Sequence, residues 1–444
     1  MKPTDALPHP ADWNTAIVGE SIDIKRGVSW SKEQEHPKAY DRAVPVIGIS
    51  NVQERLELGD LLWLSGLKPK AIEHKRVEKG WSVMVGSNGN RQRIGNAVFV
   101  AQDVEFLFGS FLIAAKPKSE SGITPEFFFR WLRSDQVQSY LSASSEGSTG
   151  LGNLSHSFFR KMTFAFPKKD EQTAIARVLD AVDAALDSAR EAANGVKELR
   201  RAVTQEFFYS ALGVTAYADH PEQKLPPGWR LLPTGALLTE EPKNGVSPQA
   251  TAQPPGTPTF SIAAVRDGKV DLTNTSNVKY AKISDRIADK FRISAGDVLV
   301  VRGNANPNLV GKAGRVGEFP NGCIYPDITK RIVFRTDGEN AVLPDYAVLA
   351  WNHPIVHNQV LRRAKTSNGT LKINNRDVKQ IVLPVPPEAA QHEITSIVAA
   401  VNSKLNVLNQ KIRALQRLKK SLTYELLTGC VRVNPTMLEC EAAA

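Results

Sequence analysis

Cysteine is scarce in this chain. Cys323, Cys430 and Cys440 are the only three in 444 residues. They are too few and too scattered to form a disulfide framework or a zinc site. No apolar run is long enough to span a bilayer, and Met1-Lys2-Pro3-Thr4-Asp5 lacks the apolar core of a secretory signal. These absences point to a cytoplasmic protein with no membrane partner. Acidic residues are also in deficit, 46 against 56 Lys and Arg, which leaves a net charge of +10. Such a balance favours a polyanionic partner, and nucleic acid is the usual one. The remaining composition, 42% hydrophobic and 23% charged, is that of a folded chain of two or three domains.

Catalytic signatures are missing too. Gly303 with Gly311-Lys312-Ala313 imitates a phosphate-binding loop, but seven residues separate the glycines instead of four. Ala313 also stands where a hydroxyl should hold magnesium. Pro344-Asp345 with Asp377-Val378-Lys379 resembles a metal nuclease constellation. The matching places in the first half, Pro125-Glu126 and Phe158-Phe159-Arg160, lack half the pattern. His392-Glu393 has no second His at metal spacing, and there is no Asn-Pro-Pro-aromatic motif of an adenine methyltransferase. The expectation is a chain with no catalytic residue, no metal and no cofactor.

What the sequence does contain is a long apolar stripe, twice. The first copy holds Ile175, Val178, Leu179, Val182, Leu186, Ala189, Ala193, Val196, Leu199, Val203 and Phe207. The second holds Ile394, Ile397, Val398, Val401, Leu405, Leu408, Ile412, Leu415, Leu418, Leu422 and Leu426, each 219 positions after its partner. Steps of three and four place each set on one face of a helix, long enough to seat another helix. The first stripe is the slimmer, with Ala189, Ala193 and an in-pattern Gly195 that allow close approach of a bulky partner stripe.

The repeat reaches beyond the helices. Trp13 and Gly19 match Trp229 and Gly235, and each Trp follows a Leu-Pro pair. Gly27-Val28-Ser29 matches Gly245-Val246-Ser247. Lys79 to Val85 resembles Ala295 to Val301, a turn glycine entering a strand. Each strand leads into a polar, glycine-bearing loop, and a second such loop follows in each half. Pro125-Glu126 and Pro344-Asp345 read as helix starts. Met162, Phe164 and Phe166 alternate as Ile381, Leu383 and Val385 do, marking short strands before each long helix.

The expected fold is α+β, with two globular domains separated by a pair of long antiparallel coiled-coil helices in an internal pseudo-two-fold repeat. The divisions are 1–166, the helix 167–213, a linker and second domain 214–385, the helix 386–429, and a tail 430–444. The antiparallel sense follows from reach. Roughly 36 helical residues span about 54 Å, whereas a connection of about 12 residues extends only about 40 Å.

The chain resembles the specificity subunit of Type I restriction–modification systems. The resemblance is carried by the duplicated Leu-Pro…Trp openings and the Gly-Thr or Gly-Leu loop before each helix. The helix starts Gln172…Ile175 and Gln391…Ile394 also carry it, as do the helix ends Glu206-Phe207-Phe208 and Glu425-Leu426-Leu427-Thr428-Gly429. The pattern departs at Ser210, where the second copy has Gly429. The resemblance implies that each globular domain is a target-recognition domain reading one half of a split sequence in double-stranded DNA. It further implies that the helices set the spacing and bind two methyltransferase subunits, and that restriction/translocase subunits join them.

Base edges are read by Arg, Lys, Asn, Gln, Ser and Thr, and phosphates are gripped by Lys and Arg. The polar loops supply these types. Candidates in the first domain are Asn88, Asn90, Arg91, Arg93, Ser148 and Asn153. Those in the second are Arg302, Asn304, Asn306, Lys312, Lys365, Asn368 and Lys372. The loops differ in content, so the target should be asymmetric. Candidates for the helix-pair interface are Ile175, Val182, Leu186, Val196, Leu199, Val203, Ile394, Val401, Leu405, Leu408, Ile412, Leu415 and Leu422. The alternative from another class is a duplicated coiled-coil adaptor that joins protein partners without DNA readout.

Overall fold

The structure, a computed structural model, describes residues 7–39, 42–102, 106–145, 150–212, 225–367 and 369–435, with the side chains of all but 209–212 and 367. It is a mixed helix-and-sheet fold with two long helices, Lys169–Leu212 (the central helix) and Glu388–Leu427 (the distal helix). Two compact units emerge, Met1–Arg190 with Gln410–Ala444, and Glu191–Asn409. The two cuts lie as far apart in sequence as the repeated stripes do.

In the first unit, strand Asn14–Ile17 pairs antiparallel with Thr163–Phe166, the strand that leads into the central helix. A four-stranded sheet follows in the order Ile22–Arg26, Leu112–Pro117, Ser82–Val85, Ala97–Phe99. Its period of two divides two cores. Met84, Ile113 and Ala115 face the aromatic cluster of Phe127, Phe128, Trp131 and Phe164. Val83, Val85, Leu112 and Ala114 face Phe108 and Ile47. Gly27 has no room for a Cβ against the Gly109 carbonyl, and Gly245 has none against Tyr325, so both matched glycines permit close backbone approach. Helices Pro125–Leu132, Asp135–Ala143 and His156–Lys161 cover the aromatic core. The first starts at Pro125 because Thr124 Oγ1 accepts from Phe127 N.

The second unit runs through a corresponding series. Strand Arg230–Pro233 pairs with Val382–Val385. A six-stranded sheet is ordered Lys243–Asn244, Thr329–Ile332, Val298–Val301, Ala313–Val316, Lys269–Val270, Val265–Arg266. Helices Pro344–Asn352, Pro354–Arg363 and Asn375–Gln380 follow. Trp351 and Tyr346 are buried, their polar ends donating to Gly311 O at 2.6 Å and Pro384 O at 2.8 Å. The ring of Phe208, near the end of the central helix, lies 4.5 Å from that of His353. Burial pushes the His353 imidazole down to about 4, which keeps it neutral against the phenyl face.

Both long helices are rooted in the same way. Gln172 is fully buried; its Oε1 accepts from Thr124 N at 2.7 Å, and its Nε2 donates to Gly122 O and Pro167 O. In the second unit Gln391 Oε1 accepts from Leu343 N at 2.8 Å, and Nε2 donates to Pro386 O. Each amide ties the first helical turn to the segment that precedes the Pro-initiated helix.

Within the first unit the two helices run antiparallel. Lys419 pairs with Asp183 at 2.6 Å, and Leu426 and Leu427 share a core with Ile175 and Leu179. Within the second unit Phe208, near one helix end, shares a core with Ile394, near the other helix start, which gives the same sense. Ile175, Leu186, Ile394 and Leu408 are buried; Val182, Val196, Val203, Val401, Leu405, Ile412, Leu415 and Leu422 are half-buried. Leu199, expected in the seam, is instead 53% exposed, and its partner in the repeat, Leu418, is 46% exposed. A single facing helix covers only a narrow stripe, and these leucines lie at its margin.

An ionic cluster fastens the first unit's head to its helices. Arg130 bonds Asp180 and Asp183, Arg190 bonds Glu54, and Arg55 bonds Asp187. Burial by itself would raise the Asp183 carboxyl, but bonds from Lys419 and Arg130 outweigh it and hold the carboxyl below its usual value. A depressed carboxyl adds stability above the unfolded value near 3.8, and that stability is lost as pH falls through the lower folded value. Asp183→Asn is therefore expected to destabilise the chain at neutral pH, with the difference shrinking below pH of about 4. Urea unfolding at both pH values measures it. Gln172→Leu orphans the Thr124 N–H and is expected to cost about 2–3 kcal/mol in the same assay.

Candidate nucleic-acid interface

The end of one sheet strand in each unit passes into a polar loop that a second, distant loop pairs with. In the first unit Ser87–Asn88 pairs with Gly152–Asn153, setting Asn88 opposite Gly152 and Ser87 opposite Asn153. In the second, Gly303–Asn304 pairs with Thr370–Lys372, which also pairs with Lys365–Ser367. Asn304 there faces Leu371, the counterpart of Gly152 in the repeat. The pairing brings Asn88, Asn90, Arg91 and Asn153 into one pair of adjoining loops, and Arg302, Asn304, Lys365 and Lys372 into another.

The asparagines build the loops as well as line them. Asn88 Oδ1 accepts from Asn90 N at 2.8 Å, and Asn90 Oδ1 from Gln92 N at 3.0 Å. Asn304 and Asn306 repeat the device, accepting from Asn306 N and Asn308 N. Their oxygens turn the backbone, and Asn90 and Asn306 remain exposed. Asn153 Oδ1 accepts from Ser87 Oγ across the strand pair. Arg91 is exposed on a short 3-10 turn, and Ser142 Oγ donates to its carbonyl. Arg302 is partly exposed and donates to Asp327 O at 3.2 Å. Lys365 and Lys372 are exposed on facing strands.

Two expected residues turn inward. Arg93 is half-buried and donates to Val52 O at 2.8 Å and Ile49 O at 3.4 Å, so it braces the loop from beneath. Lys312 is half-buried; burial lowers its pKa, and Asp267 partly opposes the shift. Ser148 and Asn368 lie outside the described residues. Sequence reasoning passed over Lys330, which is 2% exposed and sits close enough to feel the Arg302 charge. Aligning the two central sheets by register, where it replaces a core isoleucine, is the signal that finds it. Among the described residues no cluster of His, Cys, Asp or Glu could hold a metal ion, and no helix is long and apolar enough to cross a membrane.

Residues 10–198 match the Type I restriction modification DNA specificity domain. The chain is 24% identical over 431 residues to the Type I restriction enzyme EcoKI specificity subunit of Escherichia coli (strain K12), across 95% of this chain and 89% of that one. It is 23% identical to the StySPI specificity subunit of Salmonella potsdam, with the same coverage of each. Among solved structures, the fold is similar to the Type I restriction-modification S subunit from M. genitalium. The TM-score is 0.58 at 15% identity, covering 96% of this chain and 99% of the other.

Arg93→Ala is expected to lower stability by about 1 kcal/mol through the loss of its two carbonyl contacts. A thermal melt of the variant beside Arg91→Ala, which should melt as the parent does, checks the distinction.

Proposed function

Since the chain belongs to the specificity-subunit family of Type I restriction–modification systems, we propose that it reads an asymmetric bipartite target in double-stranded DNA and has no chemistry of its own. The observation that carries this is the convergence of two polar loops in each unit, at corresponding places in the repeat and with different side chains. Residues 1–166 and 214–385 are the target-recognition domains of an internal pseudo-two-fold repeat. The helices of 167–213 and 386–429 are the spacer between the two half-sites, and one turn of duplex is about 34 Å.

Asn88, Asn90, Arg91 and Asn153 read one half-site; Arg302, Asn304, Asn306, Lys365 and Lys372 read the other. Arg93 and Lys312 serve those surfaces from behind. The net charge of +10 supplies the sequence-independent attraction to phosphates. The exposed Leu199 and Leu418, matched across the repeat, support docking of two methyltransferase subunits on the helix pair. Those subunits would each flip out and methylate an adenine, and restriction/translocase subunits would join the assembly.

Arg302→Ala is expected to weaken binding to one half-site by about tenfold and to leave the other half-site intact; Arg91→Ala does the reverse. Methylome sequencing of a host with and without the chain supplies the target, and footprinting each variant on it reads out the two halves. An unchanged methylome would end this reading.

A further inference from the structure

The two central sheets differ at one core position. In the first unit Ile113 lies between Met84 and Arg26 and is buried in the aromatic core. In the second unit the same register position, between Val300 and Asn244, holds Lys330. Lys330 is 2% exposed. The fold does not need a charge there, since isoleucine fills the site in the first unit. Burying an ammonium is costly unless something compensates it.

Its partners are neutral. Lys330 Nζ donates to Asn244 Oδ1 at 2.5 Å and to Asn375 Oδ1 at 2.6 Å. Among the described residues it has no ion pair. Asp377, on the Asn375–Gln380 helix, favours its charge from further off, and Arg302 opposes it. Lys243, beside Asn244, is taken by Glu240. Arg331, next along the strand, is held by Glu240 and Asp297. Val300 offers no charge.

An ammonium has only donors, so both asparagines must turn their oxygens toward it. Asn375 Nδ2 then donates to Pro242 O at 2.7 Å. Asn244 is exposed, and the Nδ2 amide of its side chain is directed away from Lys330.

Resting on the DNA-reading function above, we propose that Lys330 is a positioning residue for a phosphate site on the second unit. Its buried charge aims the Asn244 amide and adds to the field of Arg302, and a phosphodiester of duplex DNA supplies the missing counter-charge. The first unit, with Ile113, lacks this device.

Burial, aggravated by Arg302, brings the Lys330 pKa down to about 8. A phosphate close by raises it again, so binding takes up protons, and affinity falls as pH rises through that value. The test uses the full chain and a 40-base-pair duplex of arbitrary sequence as probe. Fluorescence anisotropy is read from about pH 7 to 9, and calorimetry at about pH 8 in HEPES and in Tris reports the protons taken up. The parent is expected to lose about threefold or more in affinity across that range and to take up a fraction of a proton. Lys330→Met, and Lys330→Ile after the first unit's residue, are expected to bind about five- to tenfold more weakly at pH 7. Their salt slope should be smaller by about 0.9, with no proton uptake. A parent that binds without proton uptake, or variants that keep its pH profile, would overturn the role of Lys330 and leave the DNA-reading function standing. A parent that does not bind the duplex at all would overturn both.

Discussion

Everything in this fold hangs on how a long helix is joined to a globular head, and a buried carboxamide makes that joint twice. Gln172 and Gln391 each close the gap between the first turn of a long helix and the segment before a Pro-initiated helix. An amide suits the place because it can donate and accept at once without carrying charge into the core. The joint fixes the direction in which each helix leaves its head. Everything further along the helix inherits that direction.

On this shared frame the two units diverge in what they charge. The first fastens its head through Arg130, Asp180, Asp183 and Lys419, whereas the second has Leu349, Ala399 and Asn402 at the places matching the first three. The second instead buries Lys330 within reach of the Arg302 charge. One unit spends charge on rigidity and the other places it under a surface proposed to meet phosphates. The loop surfaces diverge likewise, arginine- and asparagine-bearing in one and lysine-rich in the other. Matching loop positions in the two heads therefore carry different side chains.

Much of this was legible in the sequence because it is periodic or local. The helical stripes announced both long helices, Pro125 and Pro344 announced the helices they begin, and the glycine turns at Gly80 and Gly296 announced the strands after them. The loops were found by composition, but their convergence was not, since Asn88 meets Gly152 only through tertiary pairing. Nor does residue type say which way a side chain turns. Arg91 and Arg93 are two positions apart on one short turn; one is exposed and the other braces the protein interior. Lys330 in Thr-Lys-Arg-Ile reads as a solvent-facing residue of a strand, and only the register against Val300 and Asn244 places it inside. Leu199 satisfied the helical period and still fell outside the stripe that one facing helix can cover.

The clasp of Arg432 on Asp12 and Glu171 has a consequence for biosynthesis. Arg432 reaches both Asp12 and Glu171, while Leu426 and Leu427 complete the core around Trp13, Phe127 and Ile175. The head made earlier therefore waits for residues made after the other head. On the ribosome it must persist as an unfinished intermediate while the rest of the chain emerges, with apolar surface still open to solvent. The later head closes around Phe208 and Ile394, both translated earlier than Leu426, Leu427 and Arg432. Order of translation and order of completion are thus reversed.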